Sequence, residues 1–116
     1  MRPTVLTIGV LISVFVLLGQ ILPDSQAIAD SHALDGADKE YGEYLSGECV
    51  TCHQLSGEYD GIPGIVGWDP HSFVEIMNEY RTKERENETM QTIASALSPE
   101  ELASLAIYFA EIQPEE

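Results

Sequence analysis

The sequence predicts a small all-α domain that follows an apolar N-terminal segment. Two helix start signals, Asp69-Pro70 and Ser98-Pro99-Glu100-Glu101, each join a capping side chain to a proline at the first helical position. Apolar residues after each signal recur at helical spacing, and no segment alternates with period two as a half-buried strand does. We therefore expect three to four helices and no sheet.

The N-terminal segment has the features of an export signal. Residues 4 to 22 carry no charge, Arg2 precedes them, and Ala27-Ile28-Ala29 is a small-x-small site of the kind that signal peptidase cuts. We predict that residues 1–29 are a signal peptide. The alternative is an uncleaved anchor, because the apolar run is nearly long enough to span a bilayer. The domain is then periplasmic, or membrane-anchored and facing the periplasm.

The charge of the chain limits its partners. The 116 residues carry a formal net charge of −15, and cleavage after Ala29 leaves 87 residues with the same charge, because Arg2 and Asp24 cancel. With no basic surface, nucleic acid and anionic lipid are poor partners. The charge fits a protein that meets a basic partner surface, although solubility alone explains it equally well.

The elements of the domain can be placed in order along the chain. We expect residues 30–36 to be a flexible N-terminus and residues 37–116 to form one folded domain, with a first helix from about Ala37 to Cys49. A glycine-rich loop follows, to Asp69. We expect this loop to pack around another group, because it carries several apolar residues: Ile62, Ile65, Val66 and Trp68.

Two further helices are predicted with defined starts. One runs from the Asp69 cap to about Thr82 with an apolar face formed by Phe73, Ile76, Met77 and Tyr80. A charged connector, "RTKERENET", and a short helical turn in "MQTIASAL" come next. The last helix begins with a capping box at Ser98 and extends to about Ile112. Its predicted buried residues are Leu102, Leu105, Ala106, Tyr108 and Phe109.

The strongest chemical signal is Cys49-Val50-Thr51-Cys52-His53, which holds both cysteines of the chain. A thioredoxin-like dithiol places its first cysteine after a strand, but here a helix precedes it. A zinc site needs a fourth ligand, and His71 or His32 lies in no second ligand pair. A plain disulfide is the structural alternative. Covalent haem attachment explains all positions, because the two thiols can add to the porphyrin vinyl groups and His53 can reach the iron.

A second axial ligand has to come from another part of the chain. Met77 lies on the apolar face of its predicted helix, so core packing is its expected role. Met90 follows the polar connector, where nothing else requires an apolar residue, and we predict that it binds the iron. His71 is a less favoured candidate at a helix start.

With these residues, the chain resembles class I c-type cytochromes, and most of all the small monohaem subunit of flavocytochrome c sulfide dehydrogenases and related short bacterial cytochromes. The similar segments are "GECVTCHQLSG", "GIPGIVGW" and the stretch from Phe73 to Ala110. They cover roughly residues 42 to 110. The resemblance implies a small class I cytochrome c fold, in which three to four helices wrap around one covalently bound haem.

The resemblance assigns roles residue by residue. Cys49 and Cys52 would form the thioethers of one haem c per chain, and His53 and Met90 would be its axial ligands. The family's haem-pocket proline matches Pro63, whose carbonyl would accept a hydrogen bond from the Nδ1–H of His53 and so orient the ring.

Four more positions can be interpreted in the same way. The family's helix-crossing glycine resembles Gly42, which would let Tyr108 of the last helix approach closely. Gln54 departs from the family, where many relatives have glycine after the haem histidine. Arg85, in the charged connector, is a candidate partner for a haem propionate, although ion pairs with neighbouring glutamates explain it equally well. Trp68 is expected to pack under the loop.

The expected function is one-electron transfer outside the cytoplasm, and not enzymatic catalysis. The protein would be a periplasmic carrier that passes electrons to a redox partner such as a terminal oxidase, or a cytochrome subunit docked on a flavoprotein dehydrogenase like those that oxidise sulfide. One alternative is a haem enzyme or gas sensor with a labile axial site. Another is a haem-free redox or interaction domain built on the two cysteines.

Overall fold

The computed structural model describes residues 32–114, and all regular structure in that range is helical. Five helices follow in order: α1 Lys39–Leu45, α2 Gly47–Val50, α3 Pro70–Thr82, α4 Glu88–Ala96 and α5 Pro99–Glu111. No strand occurs between residues 32 and 114, so the predicted all-α class is confirmed. None of the helices in that range is long and apolar enough to cross a membrane. The predicted signal peptide lies outside the described residues.

The starts of α3 and α5 are those that the sequence predicts. The Asp69 side chain accepts a hydrogen bond from the backbone N–H of Ser72 at 2.9 Å. Ser98 accepts from the N–H of Glu101 at 3.2 Å, and the Glu101 carboxylate accepts from the N–H of Ser98 at 2.7 Å, which completes the capping box. That backbone N–H lowers the pKa of Glu101 by stabilising its ionised form.

The predicted first helix is divided in the structure. It was expected as one helix from about Ala37 to Cys49, but α1 and α2 are separated at Ser46. The buried Ser46 hydroxyl donates to the carbonyl of Glu43 at 2.7 Å, a local bond that competes with regular helix hydrogen bonding. Helix α2, which carries Cys49, therefore begins directly after this single interruption.

Helix α4 is longer than the sequence indicates. A short turn was expected in "MQTIASAL", but α4 has nine residues. Its start is set by Asn87, whose side chain accepts from the N–H of Met90 at 2.9 Å. Because asparagine is a common N-cap residue, the charged connector itself contains the start signal of α4.

Helix α5 forms the centre of the core. It packs on both α1 and α3, and the rings of Phe73 and Phe109 stack with centroids 5.9 Å apart. Met77 is buried with Phe73, as expected for the apolar face of α3. Tyr108 is only partly buried, at the edge of this core. The buried apolar residues of α5 are Leu102, Ala103, Leu105, Ala106 and Phe109.

The crossing of α1 and α5 depends on Gly42. A Cβ atom at this position would lie 2.1 Å from the carbonyl oxygen of Ser104 and 2.9 Å from the Cβ of Tyr108. The backbones of the two helices are therefore in direct contact. The contact is as the family resemblance implies at this position, and it extends to the backbone of Ser104 as well as to Tyr108.

We predict that Gly42→Ala destabilises the protein by about 1–3 kcal/mol or more, because the methyl group meets backbone that cannot move aside easily. Denaturant unfolding of the purified protein measures this. Gly47→Ala is the matched control, since a Cβ there meets nothing within 4 Å and its stability should be unchanged or slightly higher. Equal stability of the two variants would contradict the close crossing.

Candidate functional site

The cysteine–histidine motif forms one compact turn at the end of α2. Cys49 lies within α2, and its carbonyl accepts hydrogen bonds from the N–H of Cys52 at 3.2 Å and from that of His53 at 2.8 Å. Both cysteines are free thiols; Cys49 is partly buried against the core and Cys52 is exposed. This turn presents two thiols and an imidazole from five consecutive residues.

The imidazole of His53 is held in a single orientation. The residue is only 9% exposed, and its Nδ1 lies 2.6 Å from the carbonyl oxygen of Pro63. Because a carbonyl only accepts hydrogen bonds, Nδ1 carries a proton, and in the neutral imidazole the free lone pair is then on Nε2. A neutral histidine in this tautomer can bind a metal through Nε2, and the carbonyl makes that nitrogen a stronger donor.

Close backbone contacts bring Pro63 to His53. A Cβ at Gly64 would lie 2.6 Å from the carbonyl oxygen of Gly57, so the loop folds tightly on itself. The N–H of Gly67 donates to the carbonyl of Phe109 at 2.8 Å, which ties the end of the loop to α5. The position of the Pro63 carbonyl is thus set by both the loop and the core helix.

The environment of Cys49 is unsuited to a reactive dithiol. Burial in apolar surroundings raises the pKa of its thiol to about 11, and the charge of Glu48 adds to this effect. The thiol is therefore protonated at neutral pH, whereas the nucleophilic cysteine of a dithiol oxidoreductase has a lowered pKa. The structure also places helix α1 before the motif, where a thioredoxin-like site has a strand.

The two methionines of the described chain differ in their surroundings. Met77 is 6% exposed and belongs to the core between Phe73 and the residues of α5. Met90 is partly buried at the edge of that core, on the first turn of α4, where its N–H is fixed by Asn87. Of the two thioethers, that of Met90 is the one that is not enclosed by the core.

Helix α4, which carries Met90, is anchored by Arg81 of α3. The Arg81 guanidinium donates through Nε to the carbonyl of Ala94 at 3.4 Å and through a terminal nitrogen to the carbonyl of Leu97. These carbonyls lie at the C-terminal end of α4, where backbone acceptors lack partners within the helix. Sequence reasoning missed this role, because Arg81 looks like its neighbours in a charged run and only burial separates it from them.

Arg85, the candidate propionate partner, lies on the surface. Its Nε donates to Glu79 Oε2 at 2.8 Å, and its guanidinium lies 5.6 Å from the centre of the Tyr80 ring. The hydrogen bond that Arg85 donates to the Glu79 carboxylate raises the pKa of the guanidinium. Because this ion pair is open to solvent, another anion can replace the Glu79 carboxylate on Arg85 at little cost.

Apolar side chains near the motif are left open to solvent. Leu55 is 39% and Ile62 is 41% exposed, and Tyr59 is 75% exposed. Ile65 and Val66 are buried, whereas Trp68 and Leu97 are only partly buried against the core. The loop after the motif therefore combines a packed end with an apolar end that has no cover within residues 32–114.

Between residues 32 and 114 no group of three or more His, Cys, Asp or Glu side chains is placed to hold a metal ion. Comparison of the chain with protein-family models finds no matching family, and comparison with curated proteins finds no significant match. The interpretation of the site therefore depends on its own geometry.

We predict that Arg81→Ala destabilises the protein by about 1.5–3 kcal/mol, the range for hydrogen bonds to charged groups. Loss of the guanidinium leaves the carbonyls of Ala94 and Leu97 without their donor and loosens the helix that carries Met90. Thermal or denaturant unfolding measures the effect. Arg85→Ala is the control and should change stability little, because its ion pair is exposed. The opposite order of effects would contradict the anchoring role.

Proposed function

We propose that this protein is a monohaem c-type cytochrome with a class I fold that transfers single electrons outside the cytoplasm. One observation carries the proposal. Within the sequence Cys49-x-x-Cys52-His53, the imidazole is buried and its Nδ1 is hydrogen-bonded to the carbonyl of Pro63, which leaves Nε2 available as a metal ligand. Neither a disulfide nor a dithiol site needs a histidine fixed in this way.

The residues around the motif fit a haem. Cys49 and Cys52 are free thiols three positions apart, as addition to two vinyl groups requires. Nε2 of His53 supplies one nitrogen donor for iron, and the thioether of Met90 is a candidate for the second axial position. The open apolar side chains of Leu55 and Ile62 would contact a flat apolar group well.

A bound haem supplies a one-electron iron couple, whose potential His/Met ligation raises relative to harder ligands. The chain would do the rest. Pro63 keeps the His53 ring in one tautomer, and the cap at Asn87 holds the backbone of Met90. Apolar side chains exclude water and so favour the less charged, reduced state. If His53 and Met90 both bound the iron, no open position would remain for a substrate, which favours electron transfer over catalysis.

The surface beside the motif favours a basic protein partner. Exposed carboxylates flank it on both sides along the chain: Glu40, Glu43, Glu48, Glu58 and Asp60. Complementary charge speeds the encounter of redox proteins and orients them. The partner would be a redox protein with a basic face, either a flavoprotein dehydrogenase that donates electrons or an oxidase that accepts them.

Export of the chain into a periplasm with haem-maturation enzymes should yield one haem per chain that remains attached after denaturation. The measurement is a spectrum of the denatured polypeptide together with its mass. Cys52→Ala and His53→Ala should each reduce the yield of stable holoprotein strongly. Normal yields from both variants, or a chain without covalent haem, would reject the proposal in favour of a haem-free domain.

We predict that Met90→Ala keeps the haem attached but loses the sulfur–iron band at the red end of the ferric spectrum and lowers the potential. The control is Met77→Leu, a volume-conserving core change that should keep the band. A band that survives in Met90→Ala and disappears in Met77→Leu would identify Met77 as the ligand. A native protein that lacks the band and binds carbon monoxide promptly would indicate a haem enzyme or gas sensor.

A further inference from the structure

Cleavage at the predicted site would create a free N-terminal amine close to a histidine. A cut after Ala29 makes Asp30 the first residue of the exported chain, followed by Ser31 and then His32. A histidine at the third position from a free amine offers four nitrogens in one short segment. They are the α-amine of Asp30, the backbone amide nitrogens of Ser31 and His32, and Nδ1 of the imidazole. Together they can close fused chelate rings around one metal ion.

The position of His32 in the structure suits this chelate. Its side chain is 67% exposed, and its Nδ1, the nitrogen that the chelate requires, lies 2.5 Å from Asp35 Oδ2. Asp35 is itself 68% exposed, so a metal ion can replace this contact at little cost. Ala33 and Leu34 pack against the core, so the exposed side chain of His32 lies directly beside packed residues.

The donor set selects the metal. Four nitrogens in one plane match the square-planar preference of Cu²⁺ and, more weakly, of Ni²⁺. Zn²⁺ favours tetrahedral sites and gains little from a planar set. Three of its four ligands are main-chain nitrogens. A site of this kind therefore needs one imidazole and no cluster of ligating side chains.

We propose that the exported protein binds one Cu²⁺ ion through the amine of Asp30, the amides of Ser31 and His32, and the imidazole of His32. Four copper–nitrogen bonds form. The ammonium group loses a proton and each of the two amides loses one, all to solvent, and no electron is transferred. The proposal depends on cleavage after Ala29 and is independent of haem attachment.

The test uses the full chain, exported into a periplasm with haem-maturation enzymes and then purified. Intact-mass measurement identifies the first residue, and titration with a copper(II) salt is followed by electron paramagnetic resonance and visible absorption. We expect one Cu²⁺ per chain with the signature of planar nitrogen coordination. His32→Ala should lose this species, and so should Ser31→Pro, because a proline nitrogen has no proton to give up. Asp35→Asn is the control and should retain it.

Three outcomes would overturn the inference: a chain that starts at a residue other than Asp30, a copper species with other ligands, or planar nitrogen coordination that survives in His32→Ala. The intact mass of each variant shows where it has been cleaved. If Ser31→Pro is cleaved at another position, the result from His32→Ala alone decides the test. Haem content is measured in the same samples. Copper binding without covalent haem would reject the proposed function alone, and haem without copper binding would reject this inference alone.

Discussion

The backbone contact between α1 and α5 at Gly42 is the constraint on which the rest of the domain depends. Because no side chain separates the helices there, α1 lies directly against Ser104 of the core helix. Only the buried Ser46 separates α1 from α2, so the crossing determines where Cys49 meets the core. A wider crossing would move Cys49 away from that core.

Helix α5 also holds the loop that follows His53. The loop after His53 is tied to the C-terminal part of α5 through Gly67 and Phe109. Between His53 and Gly67, the loop folds tightly where Gly64 contacts Gly57, and the Pro63 carbonyl faces His53. The orientation of one imidazole is thus the result of backbone packing at several distant points. Such a ring loses little further freedom when it binds a metal, which favours binding.

Two metal-binding regions are proposed on this small chain, and they rely on different physics. The haem proposal needs the folded domain, since a buried histidine, an oriented carbonyl and apolar surface have to converge. The copper proposal needs only a free amine and a histidine two residues later. Iron would be enclosed by apolar residues in the first region, whereas copper would be bound at the exposed edge of the domain in the second.

Local features of this protein were predictable from its sequence, because they depend on residues that are close along the chain. The caps at Asp69 and Ser98, the apolar faces of α3 and α5 and the one-turn spacing of the motif are of this kind. The hydrogen bond that accompanies the break at Ser46 and the Asn87 cap of α4 are local as well. The tertiary structure alone decided the bond between Gly67 and Phe109 and the separation of the partly buried Arg81 from the similar Arg85. These two features depend on burial and on contacts between distant segments, and a run of charged residues carries no sign of which member will be partly buried.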